Sequence, residues 1–137
     1  MSHALRPTVA TVFGVLDVIL GSLGVFSIFS SVASFRQEDF AYGSLQLLNV
    51  ISASILLYAG ILMLTNKKKA LLFNKIAAYL AIAVTLAISV FLVINYGIGG
   101  LIGAIFVIGL NGIYPILLLV ILVRTKAVIE FYGNAET

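Results

Sequence analysis

The chain has 137 residues, 62% of them hydrophobic and 9% charged, with a net charge of +3. Soluble domains average about 25% charged residues, so this balance excludes an ordinary soluble domain. Cysteine is absent, which excludes disulfides, thiolate metal sites and cysteine nucleophiles.

A spanning helix needs about 20 mostly apolar residues. Four stretches meet this length, at about 8–31, 43–65, 75–96 and 99–123. Barrel strands are shorter and alternate polar with apolar residues, a pattern missing here. The expected fold is an all-α membrane protein, a single four-helix transmembrane bundle over residues 1–137 with up-down connectivity. Its loops are too short to skip a neighbour.

The first run carries Asp17, the one ionisable residue deep within a run. A carboxyl near the bilayer midplane is costly, by roughly 2.5–3.5 kcal/mol on insertion scales, so it marks a functional-site candidate. No basic residue deep within any run offsets its charge, and a neutral side chain is expected. Ala10, Gly14, Asp17, Gly21 and Gly24 recur at helical spacing. They form a face of small residues on which another helix can pack closely. Ser31, Val32 and Ala33 offer a cleavage-like pattern, but the run is longer than a signal-peptide core and is expected to be retained.

The first connection sets Arg36 against Glu38 and Asp39. The second run presents Gln46, Asn49, Ala53, Leu56 and Gly60 on one face, with Ser52 and Ser54 near its centre. Lys67, Lys68 and Lys69 follow it directly, and Lys75 opens the third run. Under the positive-inside rule this loop lies in the cytoplasm, with Arg6 of one tail and Arg124 and Lys126 of the other. The lysines read chiefly as topology determinants, and secondarily as contacts for anionic lipid. The third run aligns Asn74, Ala78, Ala81, Thr85 and Ser89. A chargeless connection around residues 96–100 leads to the fourth run, which aligns Gly100, Ala104, Val107, Asn111 and then Tyr114 and Pro115.

Counting from the run ends at 1.5 Å per residue places Asp17, Ser52, Ser54, Thr85 and Asn111 near one depth. Pro115, lacking an N–H, frees the carbonyl of Asn111 to join them. The expectation is a buried polar layer of these residues, with Asn111 as partner of Asp17. The layer acts either as interhelical glue or, through Asp17, as a proton, cation or amine site. Gly99, Gly100 and Gly103, then Gly109 and Gly112, mark either an oligomer face or tight packing within the chain; packing is expected, with Gly100 and Gly103 as packing glycines like Gly14, Gly21 and Gly24. Phe40, Tyr42, Phe73 and Tyr96 suit membrane interfaces. The tail over 126–132 gathers Val128, Phe131 and Tyr132 on one side, as in an interfacial foot or a partner-docking helix. His3 lies in a tail. One histidine and few acids supply neither a metal cluster nor a catalytic triad, so no cofactor, metal or enzymatic activity is expected.

Residues 58–70, YAGILMLTNKKKA, resemble a helix end and basic turn of small uncharacterised bacterial four-helix inner-membrane proteins. Arg6-Pro7-Thr8 with Gly14, Gly21 and Gly24, and the stretch from Tyr114-Pro115-Ile116 to Arg124, resemble the same group. The resemblance implies a bacterial inner-membrane location. The chain is also similar in layout to small multidrug resistance transporters, which carry an essential carboxylate in the first of four helices. Their glutamate motif is absent here, and the lysine bias fixes one orientation where many of them insert in both. Claudin and tetraspanin readings lack their cysteines and large loop. The expected function is a non-catalytic accessory, assembly or scaffold subunit. The expected partners are the bilayer and other membrane subunits or further copies, with no nucleic acid. The alternative is a small proton- or cation-coupled transporter or channel, working as an oligomer through Asp17.

Overall fold

The computed structural model describes residues 5–29, 32–33 and 40–134. The end of the first run at Ser31, its cleavage-like pattern, the first-connection charges Arg36, Glu38 and Asp39, and His3 lie partly or wholly outside these residues. All regular structure among the described residues is helical. Helix α1 spans Thr8–Phe26 and α2 spans Phe40–Leu64. The next helical stretch, Ala70–Val107, is broken at Gly97 (φ 57°, ψ −127°). It therefore comprises α3 over 70–96 and the start of α4, which continues to 122. A short α5 spans Lys126–Gly133. Thr8–Phe26, Phe40–Leu64 and the 53-residue stretch Ala70–Leu122 are each long and apolar enough to cross a membrane. The third is about twice the needed length because it doubles back on itself.

The reversal needs glycine. The backbone of Gly97 has the dihedrals of the first central position of a II′ turn, which L side chains rarely adopt. Beyond it, Gly100 lies against the Leu92 carbonyl so closely that a Cβ would collide. Gly112 lies opposite Thr85 farther along, so α3 and α4 are antiparallel. The expected loop over 96–100 shrinks to this one residue. At the other end, α3 starts at Ala70 rather than at Lys75. Ala70 and Asn74 are buried there while Lys75 stays exposed, so apolar contact extends the helix back past the lysine.

The α1 face read from its spacing does meet another helix. A Cβ at Gly21 would sit 2.6 Å from the Leu57 backbone nitrogen, and one at Gly24 would collide with the Ala53 Cβ. Gly14 faces Leu64 at 3.0 Å. Helices α1 and α2 thus run antiparallel in close contact, α2 packs on α3 and α3 on α4. Helix α4 returns to α1 around Leu118–Leu122. Unlike Gly100, Gly103 has no such close approach: its nearest neighbour is Leu92 Cδ1 at an ordinary 3.6 Å.

Helix α2 ends in a Schellman motif. Asn66 takes the left-handed position at φ 58°, Lys67 N–H donates to Leu62 O at 2.9 Å, and Asn66 N–H donates to Met63 O at 3.2 Å. Both ends of the chain then close over this terminus. Arg6 Nη1 donates to Leu64 O at 2.6 Å and its Nε to Thr11 Oγ1 at 3.0 Å. Tyr132 Oη donates to Met63 O at 2.8 Å. A guanidinium here also complements the negative end of the helix dipole.

The core gathers at this end of the bundle. Ala10, Phe13, Met63, Ala70, Leu118 and Leu122 are buried together, with Val128 and Tyr132 of α5. The expected interfacial foot or docking helix is instead packed on its own chain. The reason lies in its side chains: Val128 and Tyr132, one turn apart, join the core cluster beside Met63 of α2 and Ala70 of α3.

Gly21→Ala should lower stability by about 1–3 kcal/mol, the range for overpacking against an unyielding backbone, while Gly103→Ala should be near neutral. Denaturant unfolding of both variants in one detergent checks this. Burial pushes the Tyr132 hydroxyl up to about 12, above its usual value near 10. The neutral phenol is therefore favoured in the fold, so its contribution holds below pH 10 and is lost as pH rises towards 12. The stability difference between wild type and Tyr132→Phe should shrink over that window, as followed by unfolding at stepped pH.

Candidate functional site, a buried Asp17 cluster

Several polar side chains of the apolar helices satisfy themselves locally. The hydroxyls of Ser44, Ser54, Ser89 and Thr125 donate to carbonyls four residues back, at 2.6–2.8 Å. Such back-bonding replaces water inside an apolar medium. Ser52 reaches across instead, donating to Ala77 O of α3 at 3.3 Å.

Asp17 has no such local outlet. It is fully buried and lies over Gly60, whose absent side chain makes the space. A Cβ at Gly60 would meet Asp17 Cβ at 2.7 Å and Gly14 O at 2.9 Å. Tyr114 of α4 donates its hydroxyl to Asp17 Oδ1. Phe13 O lies 3.4 Å from the same hydroxyl, and the Phe13 and Tyr114 rings pack with centroids 6.0 Å apart. Asn74 of α3 comes near enough to act on the carboxyl, but its amide N–H donates to Ala70 O at 3.0 Å. Asp17 Oδ2 and Asn74 Oδ1 are left as buried atoms without a hydrogen-bond partner. Both are acceptors when Asp17 is ionised.

The expected single polar layer does not form. Asp17, Ser52, Thr85 and Pro115 are buried, but Ser54 and Asn111 are exposed. The buried members are also spread in depth. Gly60, which adjoins Asp17, is eight residues from Ser52, about 12 Å along the helix. Thr85 is as far again from Ala77, the partner of Ser52. Asn111 is not the partner of Asp17. Tyr114, one turn farther along α4, reaches Asp17 because its ring is long, and Asn74 approaches from α3. Both residues stand on the expected stripes, where spacing alone does not pair them with Asp17. Its need for a donor, with one tyrosine on the α4 stripe, was the available signal. For Arg6 and Tyr132 at the α2 terminus the sequence carries no comparable signal. Lys67, Lys68 and Lys69 are exposed on the turn between α2 and α3. Among the described residues no group of acids and histidines is placed to hold a metal.

Helix α4 departs from α-geometry at two places. Wider π-type turns occupy Ile108–Gly112 and Leu118–Leu122, on either side of the proline-containing turn Ile113–Leu117. Local π adjustments commonly accommodate proline in apolar helices. The first π turn contains Asn111, whose side chain has no hydrogen bond among the described residues and is exposed beside Leu110 and Ile113.

No family model, no curated protein and no solved structure matches this chain.

Asp17→Asn should keep the cluster, because its Oδ1 can accept from Tyr114 and its amide can donate towards Asn74. Asp17→Leu leaves the Tyr114 hydroxyl without its acceptor and should cost about 1–3 kcal/mol. Unfolding midpoints of the two variants in detergent measure the contrast; equal losses would contradict it.

Proposed function

We propose that this is an integral membrane protein whose four helices cross a bacterial inner membrane, with the lysine turn and both termini in the cytoplasm. The helix lengths and the one-sided charge of the connections support this reading. We further infer a non-catalytic role, as an accessory, assembly or scaffold subunit that docks a helix of a partner membrane protein.

The observation that carries this role is Asn111. A carboxamide exposed to lipid tails on a spanning helix has no water to bond, and amides across helix interfaces are a recognised means of association. Around it the α4 surface is long and apolar, with Leu101, Ile105, Phe106, Leu110 and Ile113 exposed. The π turn, a feature frequent at functional positions, lies at the same point. Asp17 serves the internal fold in this reading, holding α1, α3 and α4 in register.

A tagged chain expressed near its native level and extracted in mild detergent should migrate as a complex larger than its monomer. Asn111→Leu should release most of it as monomer without changing the unfolding midpoint. A monomeric wild type, or a complex indifferent to Asn111→Leu, contradicts the docking role. A complex made only of this chain identifies the partner as a second copy.

A second reading, a proton- or cation-coupled transporter, is favoured by one observation: the two buried acceptors at Asp17 and Asn74 that lack a donor. Asp17→Asn, which should keep the fold, decides it, since coupled flux in proteoliposomes must then disappear.

A further inference from the structure

Outside the Asp17 cluster, a groove of about 380 Å³ lies between α3 and α4. Its polarity runs in one direction. Lys75 and Arg124 line one end, facing each other from the two antiparallel helices. Tyr79, Ile116, Leu119 and Val120 continue the lining away from them. Both cations are exposed, and neither has an ion-pair or hydrogen-bond partner among the described residues. Lys75 and Tyr79 are one turn apart on α3, as Ile116, Val120 and Arg124 are on α4, so each helix offers its cation and its apolar surface on one stripe. An amphiphile with an anionic head and an apolar tail matches this order in charge and direction. A soluble anion would use only the cationic end, and a neutral lipid only the rest.

We propose that this groove is a binding site for an anionic phospholipid. The phosphate lies between Lys75 and Arg124, and one acyl chain runs along Tyr79, Ile116, Leu119 and Val120. The site differs from the Lys67–Lys69 turn, whose three exposed cations do not line this groove. It rests on the membrane-embedded reading given above, and links the α3–α4 pair to the charge of the surrounding leaflet.

Native mass spectrometry of the detergent-purified full chain, titrated with phosphatidylglycerol or phosphatidylcholine, tests the proposal. Phosphatidylglycerol should be retained preferentially. Lys75→Gln with Arg124→Gln should weaken retention roughly 25-fold, from about fivefold per cation near a membrane surface. Replacing Lys67, Lys68 and Lys69 together by Gln should change it less than about twofold. Leu119→Trp, which fills the groove and leaves every charge in place, should also abolish retention. Millimolar inorganic phosphate should not displace the lipid. Equal retention of phosphatidylcholine, equal loss in the triple lysine variant, retention unaffected by Leu119→Trp, or displacement by phosphate would each overturn the site. Unchanged unfolding midpoints show that the variants are folded. Extraction of the protein from membranes by alkaline carbonate would instead refute the embedded reading itself, which separates the two failures.

Discussion

The rest of the bundle depends on how closely α1 approaches α2. Gly21 lies against the Leu57 backbone, Gly24 against Ala53, and Gly60 against Asp17 and the Gly14 carbonyl. In an apolar solvent there is little hydrophobic drive between helices, and association comes from close packing and polar contacts. Glycine contributes by letting two backbones meet. At Gly60 it contributes a second time, because the vacated volume is where the Asp17 side chain fits. The helix pair and the buried carboxyl are consequences of one steric fact. Once Asp17 is enclosed there, α4 has to supply the Tyr114 hydroxyl and α3 brings Asn74 alongside, so the polar cluster follows from the glycine contact.

The second governing condition is that polar atoms find partners inside the chain. Ser44, Ser54 and Ser89 do so within their own helices, whereas Ser52 bonds across to α3. Ser54 shows the point: its hydroxyl is satisfied by Val50 O, and the residue faces outward at no evident cost. Asn111 is the converse case, with two donors and an acceptor exposed on an apolar surface. Of these two exposed polar residues, Ser54 has a partner within its own helix, while Asn111 has none among the described residues.

Much of the architecture was legible in the sequence because it depends on local pattern. Run lengths and the small-residue face of α1 translate directly into helices and into the α1–α2 contact. What could not be read was set by tertiary geometry. The depth of a residue along its run does not say which way it faces, so Ser54 and Asn111 were placed with Asp17 although they point outward. The length of the Tyr114 side chain let it reach a residue that counting assigned to Asn111. The α5 tail has an apolar side that suits a membrane interface equally well. Only the core at the end of α2 and the start of α3 decides that Val128 and Tyr132 are buried there. Gly97 was one glycine among several in its region, and its role follows from a backbone conformation that spacing does not encode.

The shared acceptor at Met63 also imposes an order in time. Its carbonyl takes a hydrogen bond from Tyr132, a residue 69 positions later in the chain. At 5–20 residues per second, synthesis needs roughly 3–14 s to cover that distance. Through that interval α1 and α2 can already be paired, while the pocket that will receive Val128 and Tyr132 stands open. Completion of the fold is therefore scheduled by translation of α5, and a nascent chain stalled between α4 and α5 would present this unfilled apolar pocket to quality-control factors.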